Sequence, residues 1–224
     1  YGGGHDHRDR LNLIVFAHGR VVVPDIGTSG YGIGLNRWFR SPAAHNLLVV
    51  DGGVQKPCSG ELLDYAPDHV RAAAGPAYPG VKIERELRLG DEALADHVTA
   101  DADAEHTYDL FYHVRGALAK CSVSLAPAEP FTQGVDYDML QALRRGRVVG
   151  KVRLDFTLRD GPGRLALVCR SESPFEIYTG TCPDNPADQQ MAFVVLRVHA
   201  QSVTWENSLL WAGEPQTIQA RKGR

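Results

Sequence analysis

Lys151-Val-Arg-Leu-Asp-Phe-Thr-Leu158 is the stretch that decides the fold. Val152, Leu154, Phe156 and Leu158 take every second position, with charged or hydroxyl side chains between them. Successive side chains of a strand point to opposite faces, so this pattern predicts a β-strand with one face in a core and the other in water. The same reading extends in both directions. Upstream, residues 81–89 alternate apolar and charged, and residues 94–100 and 108–114 read as further strands. Downstream, residues 165–169, 175–178, 193–199 and 203–205 continue the series. Between them lie Gly, Pro and Asp turns, and residues 137–145 alone look helical or turn-like. Short strands punctuated in this way predict an all-β fold, an antiparallel sandwich or open barrel. With 224 residues, 43% of them apolar, the chain can bury one large core or two small ones.

Charge excludes little but sets a direction. A net charge of −3 and a pI near 6.3 give no general attraction to nucleic acid or to an anionic membrane. No apolar run approaches the roughly 18 residues of a membrane span, and no signal peptide is recognisable. The sequence starts at Tyr1 rather than Met, from which we expect a piece of a longer polypeptide whose targeting segment lies elsewhere. Cys58, Cys121, Cys169 and Cys182 are far apart and form no Cys-x-x-Cys pair, which argues against a thiolate zinc site and leaves the redox compartment open.

The chemistry gathers near the beginning of the chain, in Tyr1-Gly-Gly-Gly-His5-Asp6-His7-Arg8-Asp9-Arg10-Leu11-Asn12. In an extended segment His5 and His7 face one side and Asp6 the other, an arrangement that suits a metal ion or proton transfer. Residues 11–17 form an apolar run, His18-Gly19 a two-residue turn, and residues 20–23 the return before Pro24 ends the ladder. If Ala17 pairs with Arg20, counting back puts Asp25 opposite Asn12, beside the exit of the histidine segment. A glycine-rich loop with Tyr31 follows, then Arg37-Trp38-Phe39, then His45-Asn46 at the opening of an apolar run that ends in the turn Asp51-Gly52. Asp9 and Asn12 are expected to fix strand ends locally, with an indirect role at most. Arg37 and Trp38 suit either a sugar cleft or core packing, and His113, in an apolar strand, reads as a core histidine.

Taken in order, His5-x-His7, Asp9-Arg-Leu-Asn-Leu13, Pro24-Asp25-x-Gly27, Tyr31-Gly32, Arg37-Trp38, Ala44-His45-Asn46 and Val50-Asp51-Gly52 with Gln55 resemble the C-terminal domain of the heparinase II/III family of polysaccharide lyases, which includes alginate and oligoalginate lyases. The detailed resemblance covers about the first quarter of the chain. It implies one β-sandwich domain over residues 1–224, with active-site and zinc motifs in residues 1–56, preceded in the intact protein by an N-terminal helical toroid that completes the cleft. It also implies a structural zinc on His7, Asp25 and His45, acid and base groups at Tyr31 and His5, and Arg37 and Trp38 at the substrate. The activity implied is β-elimination at a uronic acid, with an acidic polysaccharide or oligosaccharide as partner; we expect a periplasmic or secreted setting, with a cytoplasmic one left open. Neither nucleic acid nor membrane is implied, and a homo-oligomer is left open. Two other classes remain: a non-catalytic carbohydrate-binding sandwich, and a cupin-type metal enzyme. The latter usually carries a Glu four to six residues after His-x-His, where this chain has Leu11, Asn12 and Leu13.

Overall fold

Two strands of unusual length, β7 (Ala93–Val114) and β14 (Gln190–Leu210), pair antiparallel almost end to end and form the spine of the molecule in a computed structural model that describes residues 7–28, 30 and 34–211. At about 3.3 Å per residue, 22 residues are too long for a single small sheet, and the ribbon serves two. Its register breaks between Ala200 and Ser202, the point at which burial also changes character.

One half of the ribbon belongs to a sheet ordered β4 (Glu61–Ala66), β5 (His69–Ala73), β6 (Val81–Leu89), β7, β14, β12 (Arg164–Arg170), β11 (Lys151–Leu158), β8 (Gly116–Cys121). Here Leu94, Asp96, Val98, Ala100 and Ala102 alternate with exposed or half-buried neighbours, as a strand with one wet face must. The other half pairs with β3 (Leu48–Val50) and β13 (Phe175–Pro183), and β13 with β10 (Gln141–Val148), which pairs with the two-residue β9 (Ala126–Pro127). In this half, residues 108–114 are all buried, so both faces of the sheet are covered. The inner face, with Leu110, Tyr112, Val194 and Leu196, meets Leu154, Leu167 and Ile83 of the first sheet in the main sandwich core. The outer face, with Val49, Phe111, Phe193 and Val195, lies under a third layer made by Ile26, the one-turn helix α1 (Asn36–Phe39), the 3₁₀ turn Pro42–Ala44, Leu47, Tyr137 and Leu140. Among the described residues no helix is long and apolar enough to cross a membrane.

The antiparallel sandwich expected from alternation is therefore present, with two departures. The segments read as separate strands at 94–100 and 108–114 are one strand: Asp101 and Ala102 pair with Lys82 and Val81, His106 and Thr107 with Ala200 and His199, and Asp103–Glu105 bridge the register shift between them. Residues 137–145 are helical only over the 3₁₀ turn Tyr137–Met139, and Arg144 and Arg145 pair with Thr179 and Tyr178 as part of β10.

The N-terminal hairpin forms as read. β1 (Val15–Ala17) and β2 (Arg20–Val23) join through His18 and Gly19, both at positive φ (52° and 73°), the geometry of a tight two-residue turn. Ala17 pairs with Arg20, but a bulge after Val15 sets Val15 against Val23.

Candidate functional site

Three segments meet at the end of β7 that carries His113: residues 7–12, residues 24–27 and residues 41–46. Their main chains lack regular pairing, so each buried amide and carbonyl needs another partner. Asn46, wholly buried, supplies most of them. Its side-chain amide donates to the carbonyls of Leu13 (2.8 Å) and Pro24 (2.7 Å), and its Oδ1 accepts from the backbone N–H of His113 (2.6 Å). Asn12 bridges the same segments: its Oδ1 accepts from Asn46 N (2.8 Å) and its Nδ2 donates to Asp25 Oδ2 (2.9 Å). The Asn12–Asp25 contact thus exists in spite of the bulge, made by side chains rather than by a ladder.

From beneath, the buried Arg85 of β6 is paired with Asp96 (2.8 and 2.5 Å) and donates from Nη1 to the carbonyls of Leu11 (2.7 Å) and Asn46 (2.5 Å). Gln55 closes the far side, accepting from Arg10 N (2.8 Å) and donating to Arg10 O (3.2 Å). One sheet residue and three side-chain amides therefore fix the backbone on which the site is built.

On that scaffold His7 Nδ1 lies 3.4 Å from His45 Nε2, and His45 Nε2 lies 3.8 Å from Asp9 Oδ2 and 4.0 Å from Asp25 Oδ2. Candidate ligand atoms of His7, Asp9 and His45 all fall within 4.8 Å of one another. His45 is fully buried, and its Nδ1 donates to the carbonyl of Ser41 (2.8 Å), a tautomer assigned from that bond, so Nε2 presents a lone pair to the cluster. Burial pushes its pKa below the ordinary imidazole value, although Asp25, the Ser41 carbonyl and Asp9 pull the other way. A neutral nitrogen thus faces a second imidazole and two carboxylates.

The two carboxylate distances are too long for hydrogen bonds. They lie closer to the edge of a ligand tetrahedron, roughly 3.3–3.6 Å for bonds of about 2.0–2.2 Å. The donors are also oriented as metal ligands usually are: His45 by Ser41, and Asp25 by Asn12 and by the N–H of Gly27 on Oδ1 (2.7 Å). The residues present fit a zinc-type cation. Asp9, for which the sequence suggested only an indirect role, stands in the cluster itself. The signal was there in the period-two spacing of His5, His7 and Asp9.

His113 packs against the cluster's floor, stacked on Phe111 (centroids 6.0 Å) and edge-on to Trp38 (6.3 Å), with Nδ1 3.2 Å from Asn46 Oδ1. Burial, then the nearby His45, pushes its pKa down to about 3, so it is a neutral core histidine, as its sequence setting indicated.

His5 and Tyr31 lie outside the described residues. What holds the foot of the tyrosine loop is described: Asn185 Nδ2 donates to the carbonyls of Ile26 (2.8 Å) and Thr28 (3.2 Å), and Asn185 N in turn donates to Asp184, which is clamped by Arg115 and Arg159. Nothing in the sequence links residue 185 to residue 26. The expectation for Trp38 fails. It is 0% exposed in the third layer, its indole N–H donating to Pro183 O (3.0 Å), because packing on Phe111 and Phe193 removes a large apolar ring from water more fully than a cleft wall would. Arg37 is exposed, but its guanidinium turns to Asp136 (2.5 Å) and Asp138 (3.1 Å).

Comparison with known proteins places the chain in a family. The family model described as heparinase II/III-like, C-terminal, matches residues 1–205. An alginate lyase of Stenotrophomonas maltophilia is 32% identical over 144 residues, 51% of this chain and 19% of that protein. An exo-oligoalginate lyase of Saccharophagus degradans is 28% identical over 150 residues, 52% of this chain and 20% of that protein. The chain thus spans about a fifth of the length of these curated relatives. Among solved structures, heparan sulfate lyase HepC from Pedobacter heparinus superposes with a TM-score of 0.69 at 13% identity, covering 95% of this chain and 32% of that one. The heparinase III BT4657 gene product gives 0.68 at 14%, covering 95% and 31%. These two likenesses speak to the fold. The sandwich, the order of the motifs and the extent of the family match together establish that this chain belongs to the heparinase II/III-like C-terminal domain family.

Proposed function

We propose that this chain is part of a polysaccharide lyase that cleaves a uronic-acid-containing polysaccharide or oligosaccharide by β-elimination, with Tyr31 and His5 as the acid and base groups. The observation that carries the reading is the convergence of His7, Asp9, Asp25 and His45 from the segments that flank both of those residues. His5 is two positions from His7, and Tyr31 six positions from Asp25. The two curated relatives, named as lyases of alginate and oligoalginate, make that polymer the first substrate to try.

Two imidazoles with carboxylates form a donor set that suits zinc. Bound there, the ion would supply positive charge that ties the three segments together. The proton transfers belong to side chains. In the elimination, a base takes the proton from the carbon next to the uronate carboxylate. The released electron pair forms the new carbon–carbon double bond as the C4–oxygen bond breaks, and an acid protonates the departing oxygen. That proton is very weakly acidic, so the site must also neutralise the substrate carboxylate while enolate-like charge develops. A tyrosine with a pKa near 10 can serve as the acid, or as the base where positive neighbours lower its pKa. His5 takes the complementary role, and the sugar epimer decides which is which. We assign further carboxylate-binding groups to an N-terminal helical domain of the same polypeptide.

The test is turnover in the full-length protein, followed by the ultraviolet absorbance of the unsaturated sugar end. Tyr31→Phe removes one hydroxyl, and a loss of about 10²–10⁴-fold is expected with folding and metal content intact. His5→Ala should likewise impair elimination, whereas His7→Ala should first lower metal content and stability. Near-wild-type activity in Tyr31→Phe refutes the assignment.

A further inference from the structure

A second place on the molecule gathers arginine and aromatic side chains around open concavities. It lies on the same outer face of the sheet as the histidine cluster but further along the strands: Asp109, paired in register with Arg197, precedes His113 by four residues, roughly 13 Å of strand. Arg197 stands in the wall of three neighbouring concavities of about 480, 440 and 160 Å³. Its Nε and Nη2 donate to Asp109 (2.6 and 2.7 Å), to which Tyr137 also donates (2.7 Å), so the guanidinium is anchored from below and stays charged, while Nη1 makes no hydrogen bond among the described residues. Its carbon lies 4.5 Å from the ring centre of Phe131 and 5.4 Å from that of Tyr178. Arg145, paired with Glu176, lies 5.9 Å from the same tyrosine ring, and Arg147, two positions on and so on the same face of β10, is exposed with no ion pair among the described residues.

We propose that this groove is a separate binding site for a stretch of acidic oligosaccharide bearing carboxylates. Guanidinium forks match carboxylates in shape and charge. The half-buried Phe131 beside them offers apolar surface to the C–H faces of sugar rings. Thr107, Thr132 and Glu129 in the walls suit hydroxyl groups. Adjoining concavities that share one residue call for an oligomer rather than a single sugar. The site would hold the polymer on which Tyr31 and His5 are proposed to act, and in naming the ligand as a uronate it rests on the proposed lyase function.

The experiment uses the full-length protein with Tyr31→Phe, titrated calorimetrically with an alginate tetrasaccharide, with neutral mannotetraose as control. Two binding events per chain are expected for alginate. Adding Arg145→Ala and Arg147→Ala should weaken one of them at least tenfold and leave the other; both side chains are exposed, so the melting temperature should hold. Arg197 is left in place because it is the partner of buried Asp109. One event in the parent, or two events unaffected by the paired substitution, overturns the proposal and leaves the lyase reading standing. Equal binding of mannotetraose in the groove overturns the carboxylate assignment. Two events that respond as expected, in a protein whose Tyr31 form cleaves no uronate polymer, uphold the groove and sink the lyase reading.

Discussion

Asn46 shows how much of the site rests on one neutral side chain. Replacing it with Ala would leave the buried carbonyls of Leu13 and Pro24 and the N–H of His113 without their partners. Each such group costs about 1–3 kcal/mol, so we expect a loss of more than about 3 kcal/mol in the free energy of urea unfolding. Zinc should be released at lower chelator concentration, because the Asn46 side chain ties the segment carrying His45 to those carrying His7 and Asp25 through the carbonyls of Leu13 and Pro24. Unchanged stability would show that water replaces the amide. The sequence pointed to His7, Asp25 and His45 through a family resemblance carried by short local motifs. It did not reveal the role of Asn46, whose bonds reach 33, 22 and 67 positions away.

At the scale of elements, strand β6 carries the site through Arg85. Breaking a buried ion pair strands the remaining charge, so Arg85→Met should cost about 3–5 kcal/mol through Asp96, to which Tyr112 also donates (2.6 Å). Adding Asp96→Leu should recover most of that stability. It cannot restore the donors that the carbonyls of Leu11 and Asn46 have lost, so the double variant should fold and still hold zinc more weakly than wild type. Wild-type zinc affinity in the double variant would show that the arginine serves the sheet alone. Arg85 was legible as the one charged position on the apolar face of strand 81–89, in line with Val81, Ile83, Leu87 and Leu89, but alternation describes a face and not a contact, so its partners were not. The length of β7 was hidden for a related reason: its middle, residues 101–107, is rich in polar side chains like a loop, and it stays extended because the pairings on either side of the register shift hold it.

For the whole molecule, the sandwich was readable because alternation is repeated in strand after strand. The third layer was not, because its members come from residues 26–47 and 137–140 and cover a sheet face formed by residues 49, 111, 193 and 195. Most of that sheet face, Phe111, Phe193 and Val195, lies more than 70 positions from Trp38, and so Trp38 looked as much like a cleft residue as a core one. This layer matters for function: it carries His45 at its edge and supports the foot of the loop that leads to Tyr31. The central claim is that His7, His45, Asp9 and Asp25 form a socket for one cation that holds these segments in register. Anomalous scattering at the zinc absorption edge, from crystals of protein purified without added metal, tests it most directly. The account predicts one peak per chain, bonded at about 2.0–2.2 Å to His7 and His45 and to at least one of the two carboxylates. A map with no peak there, with His7 and His45 still 3.4 Å apart, would contradict it.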